Sequence, residues 1–248
     1  MARSRSGFYS TIEYIGPRPQ KPKKQNFFGG WVIVAIAIGA GIFFGKPLIS
    51  GAWASDNGPT SAESELIVKE LSASDSFGDQ LAAEALRYSD TEVLFDPAYF
   101  QINYPGGDVP ASKGVAADLV IRCYRKLGVD LQEKIHEDMA ANYRRYPDLW
   151  ASSAPDTNID HRRVPNLQRF FNRNATSVEA GNESESYKAG DVVVWTPTNV
   201  SEMHVGIVVP GPSGEGSEPW VVHHLPSGIK WEKAYFKDVL GHFRYPAE

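Results

Sequence analysis

The hydrophobic positions of this chain fall into three regimes along its 248 residues. Residues 25–45 carry no charge, and Phe27 to Phe44 is almost continuously apolar. As a helix, that run spans about 27 Å at ~1.5 Å per residue, close to the ~30 Å hydrocarbon layer of a bilayer. From residue 62 the apolar positions recur at helical spacing. Leu66, Ile67 and Leu71, then Leu81, Ala85 and Leu86, predict two helices within 62–89, parted at Phe77-Gly78. Residues 93–112, rich in Pro, Gly and aromatics, read as extended chain and loops. A helix over 115–127 ends at Gly128, which suits a C-terminal cap. A second helix covers 131–145 and a short one 166–173, with a polar loop over 147–165 between them. Residues 174–189 are polar and expected on the surface.

The final third changes period. Asp191–Trp195, His204–Val209, Trp220–His224 and Gly241–Tyr245 are short β-rich runs separated by Gly, Pro and Ser turns. Helices first and successive strands later predict an α+β fold with an antiparallel sheet. The parts read as a basic arm (1–25), an apolar segment (26–50), a linker (51–61) and a folded domain (62–248).

Charge orients this layout. The chain carries a net charge of -5, but its first 29 residues hold +5 and Lys46 adds one more, which leaves -11 for residues 55–248. A basic arm before the apolar run predicts a single-pass inner-membrane anchor with a cytoplasmic N-terminus and the domain in the periplasm. Cleavage near Ala54, where Ala52-Trp53-Ala54 fits the small-x-small pattern, is the alternative and also exports the domain. The acidic domain argues against nucleic acid as a partner. A lone cysteine excludes an internal disulfide and any multi-cysteine metal site.

Candidate chemistry concentrates in three places. His204 and His223 lie on successive strand-like runs and can face each other across ~4.8 Å, one as a base and one orienting it. The loop Pro155-Asp156-Thr157-Asn158-Ile159-Asp160-His161-Arg162-Arg163 is dense in polar groups; either arginine suits a carboxylate, and a solvated loop held by Asx turns is the plainer reading. His136-Glu137 opens like a zinc-protease helix but lacks the second histidine at the required spacing. A zinc site from His161, His204, His223 and His224 stays open as a lesser alternative. The helix start is where a thiol is activated by free N–H groups and the dipole, and Ala116 stands there. Cys123 lies about 10 Å further along the axis, among apolar neighbours, and reads as a core residue.

The ordered set Tyr104-x-x-Gly107, Gly114-Val115-Ala116-x-Asp118, Gly190-Asp191-Val192-Val193, His204-Val205-Gly206-Ile207 and Val222-His223 resembles the NlpC-type cysteine hydrolases, papain-like enzymes of bacterial cell-wall peptides. Tyr104–Pro110 and Pro155–Leu167 look more narrowly like the YijF-like branch, exported bacterial proteins of largely uncharacterised function. The resemblance covers about residues 80–246 and omits the anchor. It implies a papain-like fold with the nucleophile-bearing helix packed on the sheet. It puts the nucleophile position at Ala116, the base at His204 and the orienting histidine at His223. Substrate contacts fall on Tyr104, Asp108, Asp160, His161 and Arg162, with Asp118 and Arg122 as supports of the site. It implies no metal or cofactor.

The implied activity is cleavage of an amide in peptidoglycan stem peptides, in a parent with cysteine in place of Ala116. The chain as written lacks the sulfur and is expected to be inactive. Ala116 is either a deliberate replacement or the mark of a natural non-catalytic relative; the retained histidines favour the former. The alternatives in function are a wall-binding or scaffold protein, with a cell-wall machinery partner, and a zinc-dependent hydrolase.

Overall fold

In the computed structural model of the protein, the described residues are 61–150, 152–179, 186–197, 202–212, 218–236 and 238–246. The expected anchor over 26–50 lies outside them. Among the described residues no helix is long and apolar enough to cross a membrane. Residues 57–248 group as one unit, apart from 1–56.

Two helices open the described chain, α1 (Ser61–Ser72) and α2 (Phe77–Ser89). The break falls at 73–76, earlier than the Phe77-Gly78 position expected. The Ser76 hydroxyl caps α2 by accepting from the Asp79 N–H, so Phe77 and Gly78 begin the helix instead of ending one. Two short parallel strands follow, β1 (Leu94–Phe95) and β2 (Lys113–Gly114). They deliver the chain into α3 (Ala116–Lys126), whose Ala117, Leu119, Val120, Cys123 and Tyr124 are all buried. Gly128 leaves the helix with φ of 82°, the left-handed conformation that glycine adopts without strain. Next come α4 (Leu131–Asn142), shorter than expected because its last turn tightens to a 3₁₀ turn at Tyr143–Arg145, and α5 (Val164–Asn174).

The remaining strands are β3 (Thr176–Ser177), β4 (Val192–Thr196), β5 (His204–Val209), β6 (Trp220–Leu225), β7 (Gly228–Lys233) and β8 (Asp238–Arg244). Among the described residues they form one antiparallel sheet of six strands, in the order β3-β8-β4-β5-β6-β7. Its central strands are near-continuous Val and Ile because both faces are covered. Val205, Ile207, Val209 and Val222 meet Leu81, Leu86, Leu119 and Tyr124 of α2 and α3 in the main core. Val193, Trp195, Val208 and Val221 form a smaller cluster on the opposite face with Tyr187, Phe236 and Val239. Mixed α+β architecture with an antiparallel sheet is thus what the chain adopts.

Two features tie the sheet together. Buried Asp191 accepts from Arg244 and the Lys188 N–H and pairs with His242, which joins the start of β4 to the end of β8. Burial acts to raise the Asp191 carboxyl, but the bonds from His242 and Arg244 outweigh it and hold the group below the usual carboxylate range. Beside it, Gly190 has φ of 84° and lies against the backbone of Gly78. A Cβ there would overlap the Gly78 carbonyl. Gly190→Ala is therefore expected to destabilise the protein by about 3 kcal/mol through strain and overlap together, read as a lower midpoint in urea denaturation with an unchanged slope.

Candidate functional site

The start of α3 is built by a carboxylate. Asp118, in the first turn, accepts from the Val115 N–H at 2.8 Å and so satisfies one of the donors that a helix start leaves free. The same carboxylate receives a bidentate pair from Arg162, Nε to Oδ1 at 2.8 Å and Nη2 to Oδ2 at 3.0 Å. Both side chains are almost fully buried, at 2% and 3% exposure. Arg162 also donates to the Ala98 and Asp96 carbonyls. One guanidinium therefore fastens the helix start to the 3₁₀ turn Asp160–Arg162 and to the extended chain after β1.

Beside this clamp is a cavity of about 860 Å³, lined by Val115, Ala116 and Ala117 from α3 and by His204 from β5. Tyr99, Trp150, Arg162, Arg163, Glu202 and Met203 contribute further wall. The cavity lies at the end of the sheet where β5 begins and the β6–β7 turn closes, since Leu225 and Pro226 also border it.

His204 is the near end of a chain of hydrogen bonds. Its Nε2 lies 2.9 Å from His223 Nδ1, and His223 Nε2 lies 3.1 Å from Glu232 Oε1 on β7. The carboxylate settles the roles. Ionised Glu232 accepts, so His223 carries its proton on Nε2, and His223 Nδ1 accepts from His204 Nε2–H. His204 Nδ1 is then the nitrogen left with a lone pair. Trp195 packs edge-on against His204, with centroids 4.9 Å apart, and lies 5.5 Å from His223. Burial, then the neighbouring histidines, lowers the pKa of His204 to about 3; burial, then His224 and Lys230, lowers that of His223 to about 4. Both rings are neutral near pH 7.

Several residues expected at the site are elsewhere. Tyr104 stacks edge-on against His136, with ring centroids 4.8 Å apart, and does not line the cavity; Tyr99 supplies the tyrosine there. Asp108 pairs with Arg122, and both line a separate cavity of about 740 Å³. Arg122 also donates to the Val109, Pro110 and Lys113 carbonyls, so it shapes the loop before α3. Asp160 is buried and accepts from the Asp156 N–H and from Arg163, which bends its own loop. His161 is buried in the 3₁₀ turn, and burial followed by the charges of Arg162 and Arg125 lowers its pKa to about 3. Arg162 is spent on Asp118, which removes it as a holder of a substrate carboxylate. Of these, Asp160, His161 and Arg162 are buried and bonded within the fold, and Tyr104 and Asp108 lie away from the cavity that Ala116 and His204 line.

The zinc arrangement of His161, His204, His223 and His224 does not assemble. His223 and His224 are successive strand residues on opposite faces of β6, and His224 packs edge-on against Phe95. Among the described residues no three His, Cys, Asp or Glu side chains converge to hold a metal. Cys123 is buried, and burial pushes its thiol far up.

Glu232 was missed because β7 was not recognised as a strand. Its sequence Gly228-Ile-Lys-Trp-Glu-Lys233 alternates apolar and polar residues, which is the strand signature. Tyr99, Trp150 and Arg163 lie in loops, where no period marks a cavity wall.

Two outcomes follow from the burial. Arg162→Ala leaves Asp118 charged and alone in the interior, and should lower stability by about 3–5 kcal/mol in chemical denaturation. For His161, His204 and His223 the folded pKa lies below the unfolded value of ~6.5, so the unfolded chain binds more protons in acid. Stability is then complete above about pH 6.5 and declines as pH falls toward 4 and 3. Each group contributes a slope of up to ~1.4 kcal/mol per pH unit in that window, and His223→Gln should flatten the profile measured by denaturation from pH 7 to 4.

Residues 82–245 match the family described as "Domain of unknown function (DUF1287)". The match begins in α2 and ends after β8, so it includes the helix start, the histidine pair, Glu232 and the Asp118–Arg162 clamp. The chain is also 44% identical over 154 residues to "Uncharacterized protein YijF" of Escherichia coli (strain K12), an alignment that covers 62% of this chain and 74% of that protein. No solved structure matches the chain. On the extent of the match, this chain belongs to the DUF1287 family.

Proposed function

We propose that this domain is a cysteine-hydrolase scaffold of NlpC-type, papain-like design for peptidoglycan stem peptides, with its nucleophile position at Ala116. The observation that carries the reading is the coincidence, in one cavity wall, of a helix start and the basic end of the His204–His223–Glu232 relay. A thiol at a helix start is activated by the dipole and by an adjacent imidazole. The sequence motifs shared with that superfamily support the same reading, as does an apolar segment suited to export.

In a parent with cysteine in place of Ala116, His204 Nδ1 takes the thiol proton and the thiolate attacks an amide carbonyl. Unpaired N–H groups at the start of α3 stabilise the oxyanion. His204 then protonates the departing amine, and a water, deprotonated by the same ring, releases the acyl group. His223 keeps the lone pair of His204 on Nδ1, and Glu232 keeps His223 in the matching tautomer. With Ala116 no acyl-enzyme forms, while the cavity wall and the relay stand. The chain as written is accordingly a binder of its substrate without turnover. A wall-binding role is favoured by that same alanine, and by nothing else in the site.

Ala116→Cys should produce cleavage of purified peptidoglycan that is abolished by thiol reagents, with the bond identified by mass spectrometry of the digest. In that background His204→Ala should lower kcat/KM by about 10²–10⁴, and Glu232→Gln by about tenfold or more through loss of the tautomer lock. If Ala116→Cys leaves peptidoglycan uncut while the chain with Ala116 sediments with it, the wall-binding role replaces the hydrolase reading.

A further inference from the structure

We infer that Arg163, not Arg162, is the residue of this cavity that recognises a substrate carboxylate, held ready by Trp150 and Asp160. The inference rests on the cavity being a peptide-binding site, and it names the chemical group that selects the peptide.

The two arginines are neighbours in sequence with opposite fates. Arg162 is bonded to Asp118 and to two carbonyls in the interior. Arg163 lines the cavity that Ala116 and His204 also line, and its side chain is 20% exposed. Among the described residues its hydrogen bond is a single one, Nη1 to Asp160 Oδ1 at 3.1 Å. Its Cζ sits 4.1 Å from the centroid of Trp150, so the guanidinium lies on the indole face. A ring takes up the flat face of a guanidinium and leaves the N–H groups in its plane free. With Nη1 anchored on Asp160, the Nε and Nη2 donors remain. They form the planar edge that matches the two oxygens of a carboxylate.

Charge narrows the ligand. Asp160 already bonds the guanidinium, Asp156 feels its field, and Glu202 lines the same cavity. A dianion such as a phosphate monoester would meet these carboxylates with one cation to offset them. A singly charged carboxylate meets less of that repulsion while still matching the free planar edge of Arg163. Trp150, 39% exposed, extends the same wall with an apolar surface for the chain that bears the carboxylate.

The chain with Ala116 binds without cutting, so calorimetry on the intact protein reads the subsite directly. The probes are the stem tetrapeptide L-Ala-γ-D-Glu-L-Lys-D-Ala and two forms in which either its D-Glu or its C-terminal carboxylate is amidated. One amidation should weaken binding about tenfold or more, and the other should not. Arg163→Gln should remove that discrimination by bringing the two tighter peptides down toward the weaker one, and Arg163→Lys should restore it in part. Equal binding of all three peptides to the chain with Ala116, an outcome that needs no variant, overturns the inference. So does discrimination that survives Arg163→Gln, and so does failure of all three to bind. Peptidoglycan cleavage by the Ala116→Cys chain, tested beside it, tells a lost subsite from a lost function. Cleavage without carboxylate discrimination removes the subsite alone, and neither cleavage nor binding removes both.

Discussion

The buried ion pair between Asp118 and Arg162 is the constraint on which the rest of the site depends. Two charges taken out of water cost several kcal/mol each, and their attraction repays this only with saturated hydrogen bonding. That condition is largely met here, with four of the five guanidinium donors engaged. The carboxylate serves the helix start as well as the arginine, and the arginine serves two carbonyls from the extended chain. The pair therefore contributes position more than net stability. It holds the start of α3, the turn that carries Arg163 and the segment that carries Tyr99 in one frame. It has an electrostatic role too. A bare carboxylate two residues from Ala116 would oppose the thiolate proposed there. Arg162 cancels that charge.

The histidine relay has a direction for a similar reason. Glu232, half exposed, stands at one end and His204, part-buried in the cavity wall, at the other, with buried His223 between them. A neutral imidazole pair costs little to bury, and the charge that appears on protonation would lie between Glu232 and a thiolate. The lowered pKa values of the two rings belong to a chain without a sulfur at residue 116. An anion at that position would favour the imidazolium. In the proposed cysteine form the pair would gain a negative partner that the chain with Ala116 lacks.

Much of the frame was legible in the sequence because it follows period. The helix over 116–126, its glycine exit and the strand runs with His204 and His223 are local patterns that burial reinforces. What escaped was set by contacts between distant segments. Nothing local distinguishes Arg162 from Arg163, yet a 3₁₀ turn sends one to Asp118, 44 residues back, and leaves the other in the cavity wall. Tyr104 and Tyr99 are likewise alternatives within one aromatic-rich loop, and only the folded chain separates the one against His136 from the one in the wall. Glu232 alone had a usable signal, the alternation of β7, hidden by its charged residues.

Cys123 has a consequence beyond packing. It is the chain's only cysteine, and it is covered by apolar neighbours in a helix that holds it far from the thiolate form. To an electrophile the protein is nearly silent. A sulfur placed at the start of α3 would speak against almost no background. The stoichiometry and pH profile of its alkylation would report the ionisation of that one group directly, in an intact protein, with no substrate needed.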